Sequence, residues 1–243
     1  MSRVVRVVDL GRQSYLPVLE LQRRLVRARI EGGIQDDLLL LVQHDPVVTL
    51  GRGTRQTSLP LPEPVLRERG YEVVEVERGG DVTVHAPGQL VGYPIIDLQQ
   101  HKPDLHWYLR QLEEAMIRGL ADLGLKAERN PGKTGVWVSG RKIGSIGVHV
   151  KRWVTLHGFA LNVTTDLRMF NVVVPCGIDG VVMTSVRNEA GGAVGAVEAV
   201  EAVDSTLWDR TRHAIIDGFG EAFAVEVTEG NLPDMKGVGV VDR

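Results

Sequence analysis

Cys176 is the only cysteine of the chain, and it stands in Val172-Val173-Val174-Pro175-Cys176-Gly177-Ile178. A thiol between proline and glycine, at the end of a β-branched run, is expected where a strand gives way to a tight turn. Proline fixes φ before it and glycine permits close approach after it. That setting presents a sulfur for nucleophilic chemistry. Taken alone, a single cysteine reads first as a small buried hydrophobe.

Three upstream segments could supply what a reactive thiol needs. In Arg78-Gly79-Gly80-Asp81-Val82-Thr83-Val84-His85-Ala86-Pro87-Gly88-Gln89-Leu90, two glycines let backbone N–H groups approach a ligand. Arg78 and His85 bracket that loop with donors. In Gly140-Arg141-Lys142-Ile143-Gly144-Ser145-Ile146-Gly147, strand alternation would turn Lys142, Gly144 and Ile146 to one face. A lysine would then look inward over a glycine gap, unless it is an ordinary hairpin lysine. In His157-Gly158-Phe159-Ala160-Leu161-Asn162, Gly158 and Ala160 leave room on one face of a strand for a slender apolar chain. The plainer reading there is a core histidine with its partners satisfied.

The elements that must position these segments follow from periodicity and punctuation. Val4 to Leu10 reads as a strand. A helix follows with Pro17 in its first turn and Val18, Leu21, Leu25 and Ala28 on one face, stopped by Gly32-Gly33. Asp37 to Val42 reads as a strand buried on both faces. Val47 to Leu50, Tyr71 to Glu77, Val82 to Val84 and Val91 to Leu98 are further strands. Asp104 caps a helix running to Gly124. Gly135 to Ser139 and Lys142 to Val150 form a hairpin, and Trp153 to Val163 continues it. Ala190 to Val203 reads as irregular surface, Leu207 to Phe223 as the last helix and Ala224 to Val227 as the last strand. The expected class is α/β (α+β): one domain over 1–230 with a mixed, mostly antiparallel sheet flanked by helices, and a tail over 231–243.

A 243-residue chain with 43% hydrophobic and 24% charged residues can build a substantial core. Its formal net charge of −3 argues against a nucleic-acid binder. A lone thiol fits a reducing compartment, no stretch approaches the ~18 apolar residues of a membrane span, and the start lacks a signal-type core. The expected location is cytoplasmic. Neither a P-loop nor a dinucleotide glycine pattern is present, and Gly51-Arg52-Gly53 alone is weak evidence for phosphate.

Taken in order, Arg-Gly-Gly-x-x-Thr-x-His-x-Pro-Gly-Gln-Leu, Gly-x-Lys-Ile-x-Ser-Ile-Gly, His-Gly-x-Ala-Leu-Asn and Pro-Cys-Gly-Ile resemble the octanoyltransferases of lipoate synthesis, in the biotin/lipoate protein ligase superfamily. His44-Asp45-Pro46 before Thr49-Leu50-Gly51 is similar as well, and the resemblance runs from about Asp37 to Val186. Val84 stands where an aromatic is common, and Ala86 where glycine is. The resemblance implies octanoyl transfer from octanoyl-acyl carrier protein to a lysine of a lipoyl domain. Acceptors would be the lipoyl domains of 2-oxoacid dehydrogenase complexes and the glycine cleavage H protein. It implies a thioester on Cys176, Lys142 as its partner, and no cofactor or metal. It also implies an acyl site along Arg78, Gly79, Gly80, Asp81, Val82, Thr83, Val84 and His85, along Ser145, Ile146 and Gly147, and along Gly158, Phe159 and Ala160. Acidic carriers would call for a local basic face: Arg23, Arg24, Arg27 and Arg29, or Arg141, Lys151 and Arg152.

Three other readings compete. An ATP-dependent lipoate or biotin ligase of the same superfamily would need no cysteine nucleophile. A non-catalytic carrier-binding module would leave Cys176 inert. A cysteine hydrolase would use His85, His149 or His157 as base.

Overall fold

The structure, a computed structural model, describes residues 3–174, 180–191 and 197–234, with the backbone alone for 197–203. Cys176, the centre of the sequence reading, lies outside the described residues, and so do its neighbours 175–179. The elements are β1 (Val4–Gln13), α1 (Tyr15–Glu31), β2 (Asp37–His44), β3 (Val47–Leu50), α2 (Glu63–Glu68), β4 (Glu72–Glu75), β5 (Val82–His85) and β6 (Gln89–Ile95), then α3 (Leu105–Asp122), β7 (Ala127–Asn130), β8 (Lys133–Val138), β9 (Arg141–Lys151), β10 (Val154–Asn162), α4 (Val186–Glu189), α5 (Val197–Phe223) and β11 (Glu226–Glu229).

Eight strands form one mixed sheet in the order β11-β1-β2-β6-β10-β9-β8-β7. β1 runs parallel to β11 and β2, and the remaining pairs are antiparallel. The run of leucines in β2 is buried on both faces, as expected of a central strand. Leu39 and Leu41 pack with Leu112, Met116, Ile215 and Phe219 of α3 and α5. Leu38 and Leu40 pack the other way, with Val18, Leu25 and Ala28 of α1. The helix boundaries expected at Gly32 and Asp104 hold: Gly32 ends α1 at φ 80°, and Asp104 starts α3 by accepting the Trp107 N–H.

Three details depart from the sequence expectation. β3, β4 and β5 leave the main sheet to form a second, three-stranded one with its own core of Val48, Leu66, Val82, Val84 and Phe170. The last helix begins at Val197 rather than Leu207, because Glu198, Ala199, Glu201 and Ala202 are good helix formers that extend it backwards. The last strand falls two residues later, at Glu226–Glu229, where it can pair with β1. No helix among the described residues is long and apolar enough to cross a membrane.

Candidate active site

A β-bulge aims Lys142. Val136 pairs with Gly144 and Trp137 with Lys142, so Ile143 is an extra residue on β9. A bulge reverses the alternation of side chains beyond it. Gly144 therefore faces α3, against Met116, and Ile146 packs on the same core while also reaching the cavity wall; Ser145 and Gly147 face the opposite side. Lys142, beyond the bulge, joins Ser145 and Gly147 in a cavity of about 220 Å³. This corrects the expectation that Lys142, Gly144 and Ile146 share a face. The lysine does point inward, being 2% exposed, but the bulge turns it there. Its ammonium lies 5.5 Å from the centre of the Trp137 ring, within cation–π range.

The backbone of Lys142 is held by the segment that follows Cys176. The Lys142 N–H donates to Val182 O, and the Lys142 carbonyl accepts from the Thr184 N–H, both at 2.8 Å. Glu189 of α4 locks this strap down: it accepts from the Thr184 hydroxyl at 2.5 Å and from Arg141 Nε and Nη2 at 2.8 Å. On the other side of residues 175–179, Val174 N–H donates to Ser58 O.

The arginine of the glycine loop turns its donors on its own surroundings. Arg78 Nη2 donates to Thr49 O at 2.8 Å, and Nη1 donates to Asp81 O at 2.6 Å and Gly79 O at 3.1 Å. It holds residues 79–81 in shape over the cavity instead of only offering donors to a ligand. Glycines admit this packing. A Cβ on Gly147 would come within 2.9 Å of Arg78 Cδ, and one on Gly51 within 2.7 Å of Arg78 Nη1. Gly51-Arg52-Gly53 thus serves the loop: Arg52 N–H donates to Arg78 O and Gly53 N–H to Gly80 O.

Two histidines near the cavity are neutral. His44 Nδ1 faces Gln13 O, which can only accept, so that nitrogen carries the proton and Nε2 accepts from the Tyr93 hydroxyl at 2.9 Å. Gln89 Nε2 donates to Asn162 Oδ1, so its Oε1 accepts from His85 Nδ1–H at 2.7 Å. Asn162 passes the chain on to Thr184 O in the strap. Burial pushes His44 down to about 4 and His85 to about 3, the latter with repulsion from His44 second. Both values lie below the ordinary 6.5, so between pH 6.5 and about 3 the unfolded chain binds the extra protons. The stability that the neutral rings contribute is complete above pH 6.5 and lost as pH falls through that window. From pH 7 to pH 5 we expect a loss of about 2 kcal/mol for each ring. Urea unfolding at the two pH values checks this. A His44→Gln, His85→Gln double variant should be less stable at pH 7 and show a flatter pH dependence. An unchanged wild-type midpoint at pH 5 would rule the account out.

Of the residues singled out in the sequence, Lys142, Arg78, Gly80, Asp81, Val82, Thr83, His85, Ser145, Ile146, Gly147, Gly158, Phe159 and Ala160 line this one cavity. Gly79 and Val84 do not: Gly79 N–H donates to Val148 O, and Val84 faces the core of the small sheet, one residue out of phase with Thr83 and His85. Val84 therefore does not bear on the cavity wall. Tyr15, Tyr93, Gly132, Lys133, Thr134 and His157 complete the lining. The first five carry no motif of their own. Only Asn130-Pro131-Gly132-Lys133-Thr134-Gly135 offered a turn signal. His157 is buried at φ 59°, its backbone N–H donates to Gln22 Oε1, and its Nε2 faces Glu77 Oε2 at 3.6 Å.

Of the basic candidates, Arg29 is buried in an ion pair at 3.2 Å with Asp37, the buried first residue of β2, and so cannot belong to an exposed face. Arg23 pairs with Glu77 and Arg141 with Glu189. Among the described residues, no three His, Cys, Asp or Glu side chains are grouped to hold a metal ion.

Known proteins agree with this architecture. Residues 14–207 match the family model of the lipoyl protein ligase A/B catalytic domain. An octanoyltransferase of Nostoc punctiforme is 43% identical over 224 residues, 92% of this chain and 90% of that protein. One from Koribacter versatilis is 48% identical over 193 residues, 77% of this chain and 76% of the relative. Among solved structures, lipoate-protein ligase A bound with ATP superposes with a TM-score of 0.70 at 17% identity, covering 97% of this chain and 91% of the other. A bi-partite lipoate protein ligase from Thermoplasma acidophilum gives 0.70 at 19% identity, covering 96% and 89%. At these identities the superpositions speak for the fold alone. With the family model spanning most of the chain and relatives this similar over their own length, the chain belongs to the octanoyltransferases of the lipoyl protein ligase A/B catalytic-domain family.

Proposed function

We propose that this protein transfers an octanoyl group from octanoyl-acyl carrier protein to a lysine of a lipoyl domain, by way of a thioester on Cys176. The observation that carries the reading is Lys142. A bulge turns it into a slot walled by glycines and alanine, and its backbone is tied to Val182 and Thr184, a few residues beyond Cys176. Family membership supports the same activity.

The chemistry divides into two transfers. In the first, the Cys176 thiolate attacks the octanoyl carbonyl of the carrier thioester. The C–S bond to the carrier breaks as the C–S bond to Cys176 forms. The departing thiolate takes a proton from the Lys142 ammonium. In the second, the amine of the acceptor lysine attacks the Cys176 thioester, an amide forms and the Cys176 thiolate leaves. Neutral Lys142 recovers its proton from the acceptor, whose ordinary pKa near 10.4 makes proton removal necessary at neutral pH. A free thiol with a pKa of about 8.5 is only a few per cent thiolate at pH 7. One ammonium about 4 Å away contributes on the order of 4 kcal/mol at an effective dielectric of ~20, before desolvation, and about 1.4 kcal/mol suffices for one pKa unit. Burying about six methylenes along Gly158 and Ala160 would contribute roughly 5 kcal/mol to acyl recognition. Thioester to thioester to amide runs downhill, so the cycle consumes no ATP.

The test is the intact mass of the protein after incubation with octanoyl-acyl carrier protein. Wild type should gain one octanoyl group that survives denaturation, and Cys176→Ala should gain none. Acylation that persists in Cys176→Ala would refute the thioester. Incorporation of free octanoate only with ATP would point to a ligase instead.

A further inference from the structure

We infer that Glu113, in the middle of α3, is a positioning residue for Lys142, acting through the backbone of Gly135. The inference rests on Lys142 being the reacting ammonium. Glu113 has a side chain only 1% exposed, an unusual place for a carboxylate. One oxygen, Oε2, accepts from Arg110 Nη1 at 2.5 Å and from Arg129 Nε at 3.0 Å. Both arginines keep a large part of their side chains in solvent, so they could be satisfied without drawing a carboxylate into the core. The other oxygen, Oε1, explains the burial: it accepts the N–H of Gly135 at 3.1 Å.

Gly135 stands next to the bulge. Its φ of 126° is open to glycine and strained for other residues. A Cβ there would meet Lys142 Cε at 2.8 Å and Nζ at 3.3 Å, so the bare backbone of Gly135 is the surface on which the lysine lies. The bulge displaces this stretch of β8 from regular pairing, and the carboxylate holds it from behind. α3 is a rigid reference, since Leu112, Ala115 and Met116 around Glu113 are all fully buried in the main core. A shift of Gly135 would therefore pass directly to Lys142.

The experiment is competitive trace acetylation of all lysines with acetic anhydride, quantified residue by residue, with the exposed Lys102 as internal standard. Glu113→Met removes the acceptor while keeping the volume. Lys142 labelling should rise at least 3-fold relative to Lys102, and kcat for octanoyl transfer should fall at least 10-fold with KM for the acyl carrier within 3-fold. Glu113→Gln retains a carbonyl for Gly135 and should restore both readouts to within 3-fold of wild type. A folded Glu113→Met protein with wild-type labelling of Lys142 overturns the inference. Should that variant fail to fold, Gly135→Ala leaves Glu113 intact and presses on the same contact; unchanged Lys142 labelling there overturns it equally. Lys142→Met is assayed alongside. If that variant still transfers octanoyl groups, the chemical role of Lys142 falls, while the labelling still decides whether Glu113 positions it.

Discussion

Lys142→Arg should still acylate Cys176 but pass the acyl group to an acceptor lysine roughly 10²–10⁴-fold more slowly, the usual contribution of a positioned acid–base group. The guanidinium keeps the positive charge that steadies a thiolate, so the first transfer retains its electrostatic support. It does not give up a proton at neutral pH, so the second transfer loses its base. Lys142→Met removes charge and base together, and both steps should slow. Rapid-quench single turnovers separate the two: acyl-enzyme forms in one phase and product amide in the next. The side chain is buried against Trp137 and Gly135, so a bulkier guanidinium will also slow the first step somewhat. The comparison that matters is therefore the ratio of the two phases. If Lys142→Arg delivers octanoyl to a lipoyl domain at the wild-type rate, the proton-shuttle role is wrong.

The second large effect is on the fold. Gly158→Ala should destabilise the protein by at least ~3 kcal/mol, at the upper end of overpacking costs. The new Cβ would fall on the carbonyl oxygen of Gly92, well inside van der Waals contact, and 2.7 Å from Pro94 Cδ. Both belong to β6, the neighbour of β10 in the centre of the sheet. Neither is the free end of a flexible side chain, so relief requires the strands to part. Gly132→Ala is the control. Its Cβ meets open space, and only its φ of 76° is unfavourable, so it should cost about 1 kcal/mol. Urea unfolding of the two variants measures the difference; equal costs would show that the close approach of β6 and β10 is not what demands glycine. Gly158 thus lines the cavity with its backbone, while its missing side chain serves strand packing.

Much of this protein was legible as a sequence. The leucine run at Asp37–His44 predicted a strand buried on both faces because only a central strand covered by helices can hide every residue. Asp104 and Gly32 marked helix ends because capping is a local matter of one or two hydrogen bonds. The order of four motifs pointed to the family, and thirteen of the residues they named share one cavity with Lys142 among them. What the sequence could not determine depends on partners far along the chain. The bulge at Ile143 exists because β8 and β9 pair out of step, and alternation counted along β9 alone puts Lys142 on the wrong face. Arg78 spends donors on Thr49, 29 residues away, and Arg29 is drawn inward by Asp37. Tyr15, Tyr93 and Glu113 carry no motif; they bear on the site only because α1, β6 and α3 pack around it. Local period and capping are written in neighbouring residues. The aim of a side chain, and the partner of a buried charge, are decided by tertiary packing.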